Sequence, residues 1–189
     1  MSVPNISNIF LISAFVLNLN FFGGPALAQG QEKWQVIPQQ SKVQFIFHST
    51  LHHTRGDALV SIEQWEELKG SMNARFVFPV RELKTYNKMR DRKMYAMFEI
   101  EKYPDIIYQM KGLSLNKETG TADLDGELTI HGVTNHFPVS AAFEQTDAGL
   151  RFKGSAVVML SDFELEAPGF LFLTVKDNVD VVFDINIKY

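Results

Sequence analysis

From Val43 to the C-terminus the chain is written largely in alternation, apolar then polar, with period two. That period is the mark of strands with one buried face and one wet face, since successive strand side chains point to opposite sides. The clearest run is Thr121 to Ile130. Ala122, Leu124, Gly126, Leu128 and Ile130 share one face, and Thr121, Asp123, Asp125, Glu127 and Thr129 share the other. Further runs cover 43–47, 72–78, 106–110, 137–143, 150–160 and 179–189. Asn116 to Gly120 and Thr146 to Gly149 read as hairpin loops with glycine in the left-handed position. Val175 to Asn178 reads as the last turn. No βαβ spacing occurs, so the expected class is antiparallel all-β.

Two segments break the alternation. Asn87 to Lys102 is rich in helix formers, with Met89, Met94, Met97 and Phe98 toward one side and Pro104 as its stop. A shorter helix is expected over Gln64 to Leu68, ended by Gly70. About eight strands with one continuous apolar face fit either a sandwich or a sheet closed on itself.

The first segment stands apart. No charged residue occurs from Met1 to Gln31, Ile9 to Leu17 is almost wholly apolar, and Ala26-Leu27-Ala28 has the small-x-small pattern of a signal-peptidase site. The expectation is a signal peptide over 1–28, cleaved after Ala28, and one mature domain over 29–189. The alternative is an uncleaved membrane anchor. Four of the 16 Phe fall in this segment, leaving 12. Eight of those sit on the apolar parity of a strand run, with Ala74, Ala141, Gly154 and Ala156 between them. That pattern fits an ordinary core with large and small residues alternating. It equally fits a barrel whose ring-lined lumen is left open for an apolar ligand.

Composition narrows the function. A net charge of −4 without a basic stripe argues against nucleic-acid binding. The absence of cysteine excludes disulfides, thiolate metal sites, cysteine nucleophiles and a lipidated cysteine. Export without cysteine fits a bacterial periplasm.

Motifs for chemistry are sparse. There is no nucleophile elbow, no H-E-x-x-H, no phosphate loop and no dinucleotide fingerprint. His48 and His52 share a strand face but lie about 13 Å apart by strand rise, and His52 and His53 point to opposite faces. No metal site and no catalytic residue is expected; a rim His acting as general base is the enzymatic alternative. Arg90-Asp91 reads as a local ion pair, a helix cap, or a polar gate near a barrel mouth. Asp123-x-Asp125-Gly126 lacks the later ligands of a calcium loop.

A set of short blocks, in order, resembles a known family. They are Trp34-Gln35-Val36, Ser41 to Phe45, His48 to His53 with Gly56, Leu83-Lys84-Thr85, Arg90-Asp91 with Phe98, Lys102-Tyr103-Pro104, and Gly126-Glu127-Leu128-Thr129-Ile130-His131-Gly132-Val133-Thr134. Asp162-Phe163 and Val175 to Val179 complete them. The chain resembles the YceI-like family of periplasmic polyisoprenoid-binding proteins, across about Trp34 to Ile187. It departs from the pattern at Asn135-His136, Lys93 to Met97 and Glu66-Glu67.

The resemblance implies a lipocalin-like antiparallel β-barrel of about eight strands, with the helix (about 87–102) near its mouth. It implies a non-enzymatic carrier or sequestering protein for a long isoprenoid or other long-chain lipid, such as a polyprenol or isoprenoid quinone. No cofactor and no stable membrane insertion of the mature chain are expected, and a homodimer is possible. The expected ligand-binding residues are Phe45, Phe47, Phe76, Phe78, Leu128, Phe143, Phe152 and Phe183 from the strands, with Met94, Met97 and Phe98 from the helix. A filled barrel serving as an interaction or stress-response module is the third alternative.

Overall fold

The computed structural model describes residues 34–188 apart from 51, 69–70, 167–168 and 171–172. The expected signal peptide and its cleavage site lie outside the described residues. The strands are β1 (Gln35–Val36), β2 (Lys42–Ser49), β3 (His53–Ala58), β4 (Ser61–Leu68), β5 (Ser71–Pro79), β6 (Asp105–Asn116) and β7 (Thr121–Ile130). They continue with β8 (Val133–His136), β9 (Val139–Thr146), β10 (Gly149–Met159), β11 (Gly169–Phe170) and β12 (Leu173–Lys188). One helix, α1 (Lys88–Met97), lies between β5 and β6.

All strand pairs are antiparallel, in the order β3-β2-β12-β10-β9-β7-β6-β5-β4. The two ends of this path, β3 and β4, are consecutive in the chain, joined only by Leu59 and Val60. Such a link spans no more than about 11 Å. The sheet must therefore curl until its ends meet. With β3 and β4 counted as one bent strand, the wall has the eight staves of a small barrel.

Contacts fall on both ends of this path. Asp57 and Lys84 exchange two backbone hydrogen bonds of 2.9 Å, which seals part of the β3 edge. Trp34 stacks on Trp65 of β4 with ring centroids 4.6 Å apart.

The alternation places strands where expected, and β7 has the same bounds as its sequence run. Gly120 takes a φ of +65° in the β6–β7 turn. Three expectations for strands and turns change. Gln64 to Leu68 is part of β4, not a helix: a bulge between Ile62 and Gln64 shifts the register. Two inward residues, Ile62 and Trp65, thereby fall three apart, a spacing that imitates a helix. Val175 to Asn178 is no turn but a bulged stretch inside β12, opposite Ser49 and Phe47. Its Asp177 accepts hydrogen bonds from the Ser161 N–H (2.8 Å) and hydroxyl (2.6 Å). The run at 137–143 starts as a strand only at Val139, because Pro138 has no N–H for the ladder.

The helix is shorter than its sequence signal. Asn87 caps it by accepting from the N–H groups of Met89 and Arg90, both at 3.1 Å. It ends at Phe98, since Glu99 adopts a left-handed φ of +48° well before Pro104.

Candidate functional site

Inside the barrel lies a cavity of about 190 Å³ whose lining side chains are all apolar or aromatic. Its walls follow from parity. Phe45 and Phe47 of β2, Phe76 and Phe78 of β5, Leu128 of β7, Phe152 of β10 and Phe183 of β12 all point in and line it. Helix α1 adds Met94 and Phe98, one turn apart on one face. Two of the sequence-derived residues fall outside the lining. Phe143 is half-buried at the hairpin end of β9, where its N–H bonds the Gly120 carbonyl at 2.9 Å. Met97 is half-buried on α1 and packs against the core without reaching the lumen.

Other lining residues were not singled out from sequence. Val181 and Ile185 of β12 and Tyr108 and Met110 of β6 share the inward parity and were open to the same argument. Trp65 was hidden by the β4 bulge, and Leu83 and Leu160 sit by short 3-10 turns that carry no period. Tyr108 brings a hydroxyl to the wall. It donates to the Leu124 carbonyl at 3.4 Å. Burial, with the nearby Asp125 carboxylate, pushes its pKa up to about 12. The phenol stays neutral, so the lumen holds no charge.

Glycines make room for rings. A Cβ on Gly154 would stand 2.7 Å from Cζ of Phe183, its partner across the β10–β12 ladder. A Cβ on Gly126 would stand 2.7 Å from the Tyr108 ring. Glycine inside a strand is unfavourable unless something must lie close over the backbone. Here aromatic rings do.

The helix is tied to the wall by a polar latch. Thr85 is only 5% exposed. Its N–H (2.8 Å) and hydroxyl (2.5 Å) both donate to Asp91 Oδ1. Arg90 donates from Nε to the Thr85 hydroxyl oxygen (3.3 Å) and from Nη1 to Thr54 of β3 (3.0 Å). Arg90 and Asp91 thus meet at Thr85, and the cap itself is Asn87.

The histidines lie away from the lumen. His48 pairs with His53 across the β2–β3 hairpin, Nδ1 to Nδ1 at 2.8 Å, and its Nε2 is 2.8 Å from Asp180. The strand register thus selects His53, not His52, as the partner of His48. These three side chains have the outward parity, opposite to Phe47 and Val179. His131 meets Tyr103 edge-on at 4.6 Å, with Nε2 3.4 Å from Glu99. His136 Nε2 is 2.7 Å from Asp125. Among the described residues no three His, Asp or Glu side chains form a group able to hold a metal ion.

An antiparallel sheet curled around an uncharged, ring-lined lumen defines a lipocalin-like barrel. Residues 34–187 match the YceI-like domain, and the chain belongs to that family. Among curated proteins it is 32% identical over 110 residues to a UPF0312 protein of Pseudomonas syringae pv. tomato, covering 53% of this chain and 55% of that one. A UPF0312 protein of Pseudomonas savastanoi pv. phaseolicola is 34% identical over 95 residues, covering 45% and 48%. The chain thus spans about half the length of the curated relatives it matches. Among solved structures, a polyisoprenoid binding domain from Saccharophagus degradans superposes with a TM-score of 0.67 at 14% identity, over 82% of this chain and 98% of that one. Burkholderia cenocepacia BcnA gives 0.66 at 18% identity, over 82% and 99%. The Campylobacter jejuni YCEI protein gives 0.58 at 18% identity, over 75% and 89%. At these identities the likeness is one of fold.

Proposed function

We propose that this protein is exported to the periplasm and holds the tail of a long isoprenoid, such as a polyprenol or isoprenoid quinone, in its barrel for carriage or sequestration, without catalysis. The observation that carries the reading is the charge-free lumen, lined by nine of the side chains to which the sequence assigned ligand contact. Each methylene moved from water into such a lumen contributes roughly 0.8 kcal/mol. An apolar tail needs no polar partner there. The name of the Saccharophagus degradans domain points to the same ligand class.

The cavity volume bears on how a tail is accommodated. About 190 Å³ is a little above the ~150 Å³ of an engineered apolar cavity that takes in benzene. A tail of about forty carbons is several times larger than benzene, so its full length enters only if rings turn aside. Met94 and Met110 in the wall suit that adjustment, because a thioether chain repacks readily. The same volume favours a second reading: a barrel filled by its own rings, serving as an interaction module.

The test is organic extraction of protein purified without detergent, followed by mass spectrometry. A stoichiometric isoprenoid or long-chain lipid is the expected result. Repeated extracts free of lipid, together with no uptake of added polyprenol, would leave the filled-barrel reading standing.

A further inference from the structure

The outward side of α1 combines cations and exposed apolar groups in a way the lumen does not explain. Lys88 and Arg92 lie one turn apart, as do Met89 and Lys93, and all four are exposed. Inward, Met94 and Phe98 line the cavity. The helix's one acid, Asp91, is turned to Thr85. The outer side of the helix therefore carries cations and no acid of its own, and the Asp57 carboxylate is held by Tyr86. Residues 81–93 hold six Lys and Arg against two acids, in a chain of net charge −4; Arg81 pairs with Glu101 and Lys84 lies 4.0 Å from Glu82, so the charge offered outward is that of the helix itself.

Exposed apolar side chains neighbour these cations: Met89 within the helix and Tyr86 just before it, with Leu59 joined to the group through the Tyr86–Asp57 hydrogen bond. Tyr86 is 79% exposed, Met89 63% and Leu59 50%. Among the described residues, the only other exposed large hydrophobic residues are Val157, Val182 and Met159. Tyr86 is held there: its φ is +61°, and its hydroxyl donates to Asp57 Oδ2, two residues before Leu59. Cations with neighbouring exposed apolar groups match a bilayer surface, where lipid phosphates attract Lys and Arg while short apolar groups enter the headgroup boundary.

We infer that the outer face of α1, with Tyr86 and Leu59, docks on an anionic lipid surface. The inference builds on the lipid-cargo reading, because a bilayer is where a carrier would exchange its cargo. Helix α1 would then stand between bilayer and lumen, its cations facing one and Met94 and Phe98 the other. A helix is only about 10 Å across with its side chains, so docking brings the lumen wall close to the lipid.

Co-sedimentation of the purified protein with vesicles tests this. The probes are phosphatidylcholine vesicles with and without phosphatidylglycerol. Binding is expected only with phosphatidylglycerol, and it should weaken as salt rises. Lys88→Glu with Arg92→Glu should lower binding roughly tenfold or more, and Met89→Ala should lower it by a smaller factor. All three positions are exposed, so the variants should keep the wild-type circular dichroism spectrum. Equal binding to both vesicle types, or a charge-reversed variant that binds like wild type, would overturn the inference. So would a dimer, seen by light scattering, that the charge-reversed variant loses; the face would then belong to a second copy. Cargo is measured separately, by extraction. Cargo present without vesicle binding removes the docking surface alone, and vesicle binding without cargo removes the cargo reading alone.

Discussion

The ring of Phe45 lies directly over Gly56, its partner across the β2–β3 ladder: a Cβ on Gly56 would sit 2.1 Å from the ring's Cζ. Phe45 is 7% exposed and lines the cavity. The bare backbone at Gly56 thus sets how far the ring stands out of the lumen. Gly56→Ala is expected to force the ring inward and to destabilise the fold by about 1–3 kcal/mol through overpacking. It should also reduce uptake of a fluorescent polyene. Adding Phe45→Leu should recover part of both losses, since the two side chains contend for one space. Additive losses in a denaturation double-mutant cycle would show that the contact is not the cause.

How much of this was legible in sequence depends on how local the signal is. Parity is local, so β7 and the inward set Phe45, Phe76, Phe152 and Phe183 could be read directly. Closure is not local. Barrel and sandwich differ here by the two residues Leu59 and Val60 that join the ends of the sheet, and nothing in their chemistry marks them as a seam. Parity also gives a side chain's face but not its height along the barrel, which is why Phe143 reads as lining yet stands outside it. The His48–His53 pair required the hairpin register, fixed only when β2 and β3 meet. The bulge between Ile62 and Gln64 shifted the phase of β4 by one residue, so its alternation could not be followed through in sequence.

Ala156 offers a way to separate binding from stability. It lines the cavity from β10. Ala156→Phe would add a ring to a space of about 190 Å³. Filling that space should abolish lipid uptake while leaving the melting temperature unchanged or raised, because new apolar contacts replace empty volume. Truncation of a lining ring, Phe152→Ala, should do the reverse to stability, at a cost of about 3–5 kcal/mol. Uptake retained by Ala156→Phe would argue that lipid does not occupy this cavity.

The latch at Thr85 should govern how firmly α1 sits on the barrel. Thr85→Val keeps the shape but removes the hydroxyl donor to Asp91 and the acceptor for Arg90. A cost of about 1–3 kcal/mol is expected, as for a polar group left short of its partner. Asn87→Ala removes the helix cap and should cost about 1 kcal/mol. Hydrogen exchange should quicken across 88–97 in both variants and change little in β10 and β12. Uniform quickening over the whole barrel would mean that the helix is not a separately anchored element.

Arg151 and Asp184 give the acid limb a defined sign. Arg151 donates from Nε and Nη2 to the two carboxylate oxygens of Asp184, each at 2.7 Å. These hydrogen bonds, chiefly, hold the Asp184 carboxyl below its ordinary value of 3.8 against the opposing effect of burial. A carboxyl whose folded pKa is depressed binds its proton more readily in the unfolded chain. The pair's contribution is thus complete above the unfolded value and is lost as pH falls below about 3.8 toward the depressed folded value. Asp184→Asn should flatten the stability profile in that acid window and lower the melting temperature at neutral pH by about 2 °C, the scale of a partly exposed pair. Added salt should shrink the difference between wild type and variant, since both partners reach solvent. Thermal melts across the acid range, at low and high salt, measure all three effects. A variant whose acid limb runs parallel to wild type would show that Asp184 is not among the groups that set it.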